Sequence, residues 1–349
     1  MSRVEVYISD RSQNKYQIHP PKKMTVQSYY VKWAQHALGQ LSEPISKLES
    51  LELPSVTEQR ELRYLTNLET VIKAMLADLT NGQPWVYGGG AGSERRRGNE
   101  ISFKPVKVDR FGSERIWKHD KRFLLMAAMI PDVTVSSLGW TEPYKRVMVE
   151  SQFHPRNRQV VVRPVANVSR KRFTDGEFQS LMAALSHALS THPTDRVLIH
   201  SVSYALRDMV LSGLRGTRRV YTYQNASGRA RAISEFKRTP GSVLLAPGLE
   251  RGVDLPGDLC RAQIILKVPY LNLGDKQVSE RLWKTPDGPV WYNQHVATTI
   301  LQMVGRGVRS VDDWCVAYVL DSTFVKWYRE WGHLLPGWFR KAIRIEIRS

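Results

Sequence analysis

Cysteine is almost missing from this chain: Cys260 and Cys315 are the only two among its 349 residues. Two thiols cannot complete a four-cysteine zinc or iron–sulfur site. Usage this sparse in a long chain points to a reducing, cytoplasmic setting and away from a disulfide-stapled secreted fold. Long apolar runs are missing too, which excludes a membrane-spanning helix and leaves no expected membrane partner. The stretch Met1-Ser2-Arg3-Val4-Glu5-Val6 has no apolar core and does not read as a secretory signal; it reads as the ordinary start of a gene product. The nine histidines form no His-Glu-x-x-His or other metal pair, so no metal ligand is assigned. Also lacking are a Gly-x-x-x-x-Gly-Lys-[Ser/Thr] segment and an apolar run ending in Asp-Glu. Without them the chain has no loop of its own to cradle nucleotide phosphates and no acidic pair to hold Mg²⁺.

Acidic residues are the next scarcity. There are 33 Asp and Glu against 51 Lys and Arg, a net charge of +18. An excess of this size favours a polyanionic partner, and nucleic acid is the usual one. A basic surface kept for solubility is the plainer alternative. The length leaves room for two domains with real cores and a smaller appendage.

What is there falls into two textures. Residues 3–19 alternate loosely around a polar turn and predict a β-hairpin. Residues 25–80 have helical periodicity (Val31, Ala34, Leu38, Leu41, then Leu62 to Leu79), predicting two or three helices interrupted near Pro44 and Pro54. Gly82–Asn99 breaks the pattern with a glycine-rich, basic loop containing Arg95, Arg96 and Arg97. Short strands are predicted at Ile101–Val108 and Phe123–Met129. From residue 145 strands alternate with helices. Strands are expected at 160–162, 197–200, 219–222, 242–246, 263–266 and 314–320. Helices are expected at 175–191, 203–214, 227–238, 293–308 and 322–333. That alternation implies an α/β fold, a parallel sheet with helices on both faces.

Chemistry gathers near the C-terminus. In Gln302-Met303-Val304-Gly305-Arg306-Gly307-Val308-Arg309, two arginines follow a glycine and precede an Asp-Asp pair. A planar, permanently charged guanidinium suits the charge that builds up on a transferring phosphoryl group. Inside a predicted helix, Gln302, Arg306 and Arg309 share one face; an exposed basic helix is the alternative. About fifty residues upstream, Gly248-Leu249-Glu250-Arg251-Gly252-Val253-Asp254 places Gly248 and Gly252 where a backbone must approach phosphate closely. Asp254 is read as orienting that loop or touching a nucleotide hydroxyl or metal-bound water, with a simple turn carboxylate as the alternative. Ser203 and Tyr204 could hold and stack a nucleic acid, or be an N-cap and a core ring. Arg170, Lys171 and Arg172, Arg215, Arg218 and Arg219, and Arg229 and Arg231 are candidate backbone contacts. The tail tryptophans Trp327, Trp331 and Trp338 are spaced for packing a C-terminal helix.

Taken in order, these segments resemble the second motor domain of superfamily 2 helicases of the XPD/DinG type. Leu124 to Ile130 stands where that family has the Thr-Ser-Ala-Thr-Leu segment closing its first motor domain. Leu138-Gly139 and Ser151 to Arg158 match the lead-in to the second, and Val197 to Tyr204 its Leu-Val-Phe-Phe-Pro-Ser-Tyr strand. Gly248 to Asp258 with Ile264 to Tyr270 match motif V. Gln302 to Arg309 with Tyr318 to Phe324 match motif VI. The resemblance covers roughly residues 100–335. It implies a RecA-like domain over 136–349, a remnant of the first motor domain over 85–135, and an arch-like helical insertion or its flank over 1–84.

It implies Arg306, Arg309 and Gln302 as catalytic groups and Gly252, Asp254 and Gly305 as nucleotide-binding ones. Ser203, Tyr204, Arg229 and Gly248 become nucleic-acid contacts. ATP and Mg²⁺ would be shared with a second polypeptide carrying the phosphate loop and the Asp-Glu motif, and no iron–sulfur cluster sits on this chain. Single-stranded DNA or a forked duplex is the implied substrate, with 5′→3′ unwinding. Two departures stand out. Met126, Ala127 and Met129 replace motif III hydroxyls, and Arg251 sits where the family often has Glu. Two further readings stay open: a non-catalytic nucleic-acid-binding or regulatory protein derived from a motor, and an unrelated basic α/β enzyme.

Overall fold

A computed structural model describes residues 5–20, 26–88, 100–168, 173–214, 218–249 and 253–346. In chain order the elements begin with β1 (Val6–Ile8), α1 (Asp10–Tyr16), α2 (Gln27–Glu49) and α3 (Val56–Thr80). Then come β2 (Trp85–Tyr87), β3 (Ile101–Pro105), α4 (Asp109–Arg115) and α5 (Asp132–Ser137). The α/β part runs β4 (Val160–Ala166), α6 (Asp175–Thr191), β5 (Val197–His200), α7 (Tyr204–Gly213), β6 (Val220–Thr222), α8 (Ala226–Arg238), β7 (Val243–Ala246) and β8 (Ala262–Ile265). It closes with α9 (Lys276–Lys284), α10 (Gly288–Val304), β9 (Val316–Asp321), α11 (Thr323–Trp331), α12 (Gly337–Arg340) and β10 (Ile343–Ile345).

The chain divides into two compact units, residues 1–143 with 272–291, and residues 144–271 with 292–349. The expected segments 1–84, 85–135 and 136–349 therefore do not coincide with the units. Residues 272–291 pack with the first unit although they lie inside the α/β stretch of the sequence.

In the first unit, β1, β3 and β2 form a three-stranded antiparallel sheet. Tyr30 and Trp33 of α2 and Tyr87 of β2 surround Phe103, with ring centroids 5.0, 4.6 and 5.2 Å away. The α2–α3 pair buries Leu41, Leu65, Leu68, Ile72 and Met75, each worth roughly 1.5–3 kcal/mol on removal from water. A capping box of Ser55 and Glu58 starts α3.

Three sequence expectations fail here. Residues 3–19 are not a hairpin. Ser9 caps α1 instead, accepting from the Ser12 amide, and β1 finds its partner about ninety residues away in β3. Pro44 does not interrupt α2, which runs on to Glu49; its neighbours Leu41 and Ile45 are buried, and packing offsets the lost backbone bond. Phe123–Met129 forms no strand; it joins no sheet among the described residues.

In the second unit seven strands lie in the order β10-β4-β9-β8-β5-β7-β6, every neighbouring pair parallel. All residues of β5, β7 and β8 are buried, as strands covered by helices on both faces must be. The α/β expectation holds, and five of the six expected strands lie within two residues of their observed bounds. The sixth, β4, runs on to Ala166. The edge strand β10 was not foreseen. Among the described residues no helix is long and apolar enough to cross a membrane.

Candidate functional site

Parallel topology decides which candidates meet. Strands β5, β7 and β6 are neighbours, so the segments after them all leave from the same, carboxyl edge of the sheet. Ser203 comes after β5, Gly248 after β7, and Arg229 lies in the first turn of α8 after β6. Three of the four expected nucleic-acid contacts thus gather at one edge, where open parallel sheets bind ligands, and Tyr204 stands beside Ser203 in the first turn of α7.

The turn after β5 is unusual. Val202 has φ 63°, a left-handed value that costs a β-branched residue energy. The Ser203 amide donates to the Ser201 carbonyl at 2.7 Å, and Ser201 Oγ donates to the Ser203 carbonyl at 3.1 Å. The Ser201 amide is in turn anchored to the Ala246 carbonyl of β7 at 3.0 Å. Strain held in place by neighbouring strands is a common mark of a functional turn. Ser203 itself caps α7, accepting from the Leu206 amide at 3.2 Å. Tyr204 is half-buried with the Arg207 guanidinium over its ring at 5.0 Å.

The second group surrounds the end of α10. Here the sequence expectation needs correction: the helix stops at Val304, so Arg306 and Arg309 lie in the turn beyond it and share no helical face with Gln302. Close packing requires glycine at 307. A Cβ there would meet Cys315 Sγ at 2.4 Å. Gly305 is exposed, and its amide donates to the Leu301 carbonyl at 2.9 Å, finishing the helix.

The two arginines then diverge. Arg306 is buried and its Nη1 donates to the Val253 carbonyl. Its own carbonyl accepts from the Leu255 amide at 3.4 Å. Arg309 stays at the surface, 43% exposed, paired through Nη2 with the 68% exposed carboxylate of Asp254. One buried carboxylate binds the two loops together, that of Asp313. It accepts from the Gly257 amide at 3.1 Å, the Arg309 amide at 3.1 Å, the Trp314 amide at 2.9 Å and Arg261 Nη1 at 2.8 Å. The loop after β7 and the turn after α10 are thereby one fastened assembly. Asp313 was missed as a site residue; the Asp-Asp pair after Arg309 was its only signal.

Beneath them lies a buried polar chain. Gln263 Nε2 donates to the Val304 carbonyl at 2.9 Å, leaving its Oε1 to accept from His200 Nε2 at 3.1 Å. That assignment makes Nδ1 the bare nitrogen of a neutral ring. Burial, and secondarily the nearby Arg306 charge, push the His200 pKa down to about 4. Cys260 and Cys315, far apart in sequence, are neighbours here. Their mutual thiol hydrogen bond and their burial push the Cys260 pKa well up, so it stays a protonated, unreactive thiol. Gly252 lies outside the described residues, as do Arg95 to Arg97, Arg215, Arg251 and residues 169–172. Among the described residues no cluster of three or more His, Cys, Asp or Glu could hold a metal ion.

Comparison with known proteins points the same way. Residues 185–342 match the family model described as a helicase C-terminal domain. Over 229 residues the chain is 24% identical to a probable ATP-dependent helicase of Methanocaldococcus jannaschii, covering 58% of this chain and 35% of that one. The chain thus spans about a third of that relative's length. S. tokodaii Xpd4 shares the fold with a TM-score of 0.54 and 19% identity, over 98% of this chain and 72% of that one. A second structure, an XPD helicase, also gives 0.54 at 13% identity, over 98% and 65%.

Proposed function

We propose that this chain is the C-terminal half of an ATP-dependent DNA helicase, working with a partner polypeptide that supplies the phosphate loop and the Asp-Glu motif. It binds single-stranded DNA along the carboxyl edge marked by Ser203, Tyr204, Gly248 and Arg229, and presents Arg309 to the nucleotide. The observation that carries this reading is the exposed Arg309 beside a motif V loop fastened to its own turn. Among the described residues the Arg309 guanidinium is held by the exposed Asp254 carboxylate, and an exposed pair exchanges for a phosphate at small cost. Arg306, buried on the Val253 carbonyl, acts as the brace that positions Arg309. The sequence has no apolar run ending in Asp-Glu, so the partner's carboxylates would hold the Mg²⁺ that neutralises the phosphates.

The test is ATP hydrolysis measured with single-stranded DNA for this chain, for the partner and for the mixture. Activity only in the mixture is expected. Turnover by this chain alone overturns the division of labour.

The non-catalytic reading also has an observation in its favour: only one of the two motif VI arginines is exposed. Salt-dependent DNA binding with no hydrolysis in any mixture would establish it.

A further inference from the structure

Two polar side chains interrupt otherwise apolar strands of the second sheet, His200 at the end of β5 and Gln263 within β8. They are 1% and 0% exposed. Register sets Gln263 beside Leu198, two residues before His200, so all three project from one face. Leu198 shares a buried cluster there with Val308 and Cys315, next to the turn after α10.

A buried amide is costly unless both of its ends are satisfied. Gln263 satisfies both, with partners on two different elements. Its Nε2 donates to the carbonyl of Val304, the last residue of α10, at 2.9 Å. The last carbonyls of a helix have no partner within it, so α10 is capped from a neighbouring strand. Its Oε1 accepts from His200 Nε2 at 3.1 Å. His200 Nδ1 is buried with no hydrogen-bond partner among the described residues, which leaves Gln263 as the group that orients the ring. Ser201, Val202 and Ser203 follow directly on His200, and Gly305, Arg306 and Arg309 follow on Val304. One side chain therefore bridges the roots of two turns that are distant in sequence. An apolar side chain of the same size would fill this space; the amide adds fixed direction.

We propose that Gln263 is a positioning residue that makes the turn after α10, which carries Arg309, follow the turn after β5, which carries Ser203 and Tyr204. This rests on the reading of those two turns given above and adds a route between them. Nucleic acid that stiffens the Ser203 turn holds the His200 ring, the ring holds the Gln263 amide, and the amide holds the end of α10. Gln263 itself touches neither ligand.

Amide hydrogen exchange on the full chain tests this, with the β7 amides as an internal reference that cancels general loss of stability. Gln263→Met keeps the volume and removes both bonds. It should speed exchange about fivefold or more at Gly305 and Arg309, and at Ser201 and Ser203 as well. His200→Leu alters the β5 end of the link, yet should also speed Gly305 and Arg309. Added to Gln263→Met it should speed them no further. Unchanged exchange at Gly305 in His200→Leu overturns the proposal, and so does an equal acceleration in both backgrounds. A second measurement needs no substitution. Single-stranded oligothymidylate that slows Ser203 in the wild-type chain should slow Gly305 and Arg309 too. In Gln263→Met the slowing at Ser203 should remain and the slowing at Gly305 should vanish. Slowing confined to Ser203 in the wild type overturns the proposal. Slowing at neither turn sinks the nucleic-acid reading instead, and the two-variant cycle then decides the Gln263 link by itself.

Discussion

The guanidinium of Arg309 is paired with the carboxylate of Asp254, so the turn after α10 touches the loop after β7 directly. Both partners are largely exposed, and an exposed pair contributes little to folding, about 0–1 kcal/mol. Their value lies in position.

Arg309→Ala should therefore leave the denaturation midpoint nearly unchanged while lowering kcat of the reconstituted ATPase by about 10³-fold or more. Arg309→Lys keeps the charge but not the planar fork, and should recover only a small part. Asp254→Asn should leave most of the activity. Equal rates for Arg309→Ala and wild type would remove the finger role.

Arg306→Ala should behave in the opposite way. Its guanidinium is buried on the Val253 carbonyl, and its loss leaves that carbonyl unpaired. We expect a loss of roughly 2–4 kcal/mol in urea unfolding, with hydrolysis falling because the loops separate. A stable variant with only kcat affected would show that Arg306 itself reaches nucleotide.

His200 makes stability depend on pH. Its folded pKa is about 4 against an ordinary 6.5, so between those values the unfolded chain takes up the proton and the folded chain does not. Stability from this group is complete above pH 6.5 and falls as pH drops toward 4, by up to ~3 kcal/mol. Below pH 4 the slope from His200 vanishes. His200→Gln should flatten this segment of the urea-midpoint profile; a profile parallel to wild type would mean that His200 titrates normally.

Val202→Gly should cost far less than the ~1 kcal/mol typical of a point substitution, because relief of the left-handed strain offsets the flexibility of glycine. Thermal unfolding measures this. A midpoint fall of several degrees would show that the valine side chain, and not the backbone, holds the turn.

How far the site was legible depends on the range of the interactions involved. The strands of the second sheet were legible because an apolar run and its flanking breaks are local. The capping of α7 by Ser203 was legible for the same reason. The end of α10 was not. Gly305 and Gly307 both stand in the sequence, but Cys315, against which Gly307 packs, is eight residues on and comes close only when β9 joins β8. The supposed hairpin failed because β1 chose β3, a partner no local pattern names.

By itself, then, the sequence determined the alternation of strands and helices and the presence of two arginines just beyond the last long helix. Period and motif are written in neighbouring residues. Tertiary structure alone decided that Arg306 turns inward and Arg309 outward, that Asp313 ties two loops together, and that Cys260 lies against Cys315. Burial and pairing of this kind depend on which distant segments pack together, and a side chain's surroundings do not exist until they do.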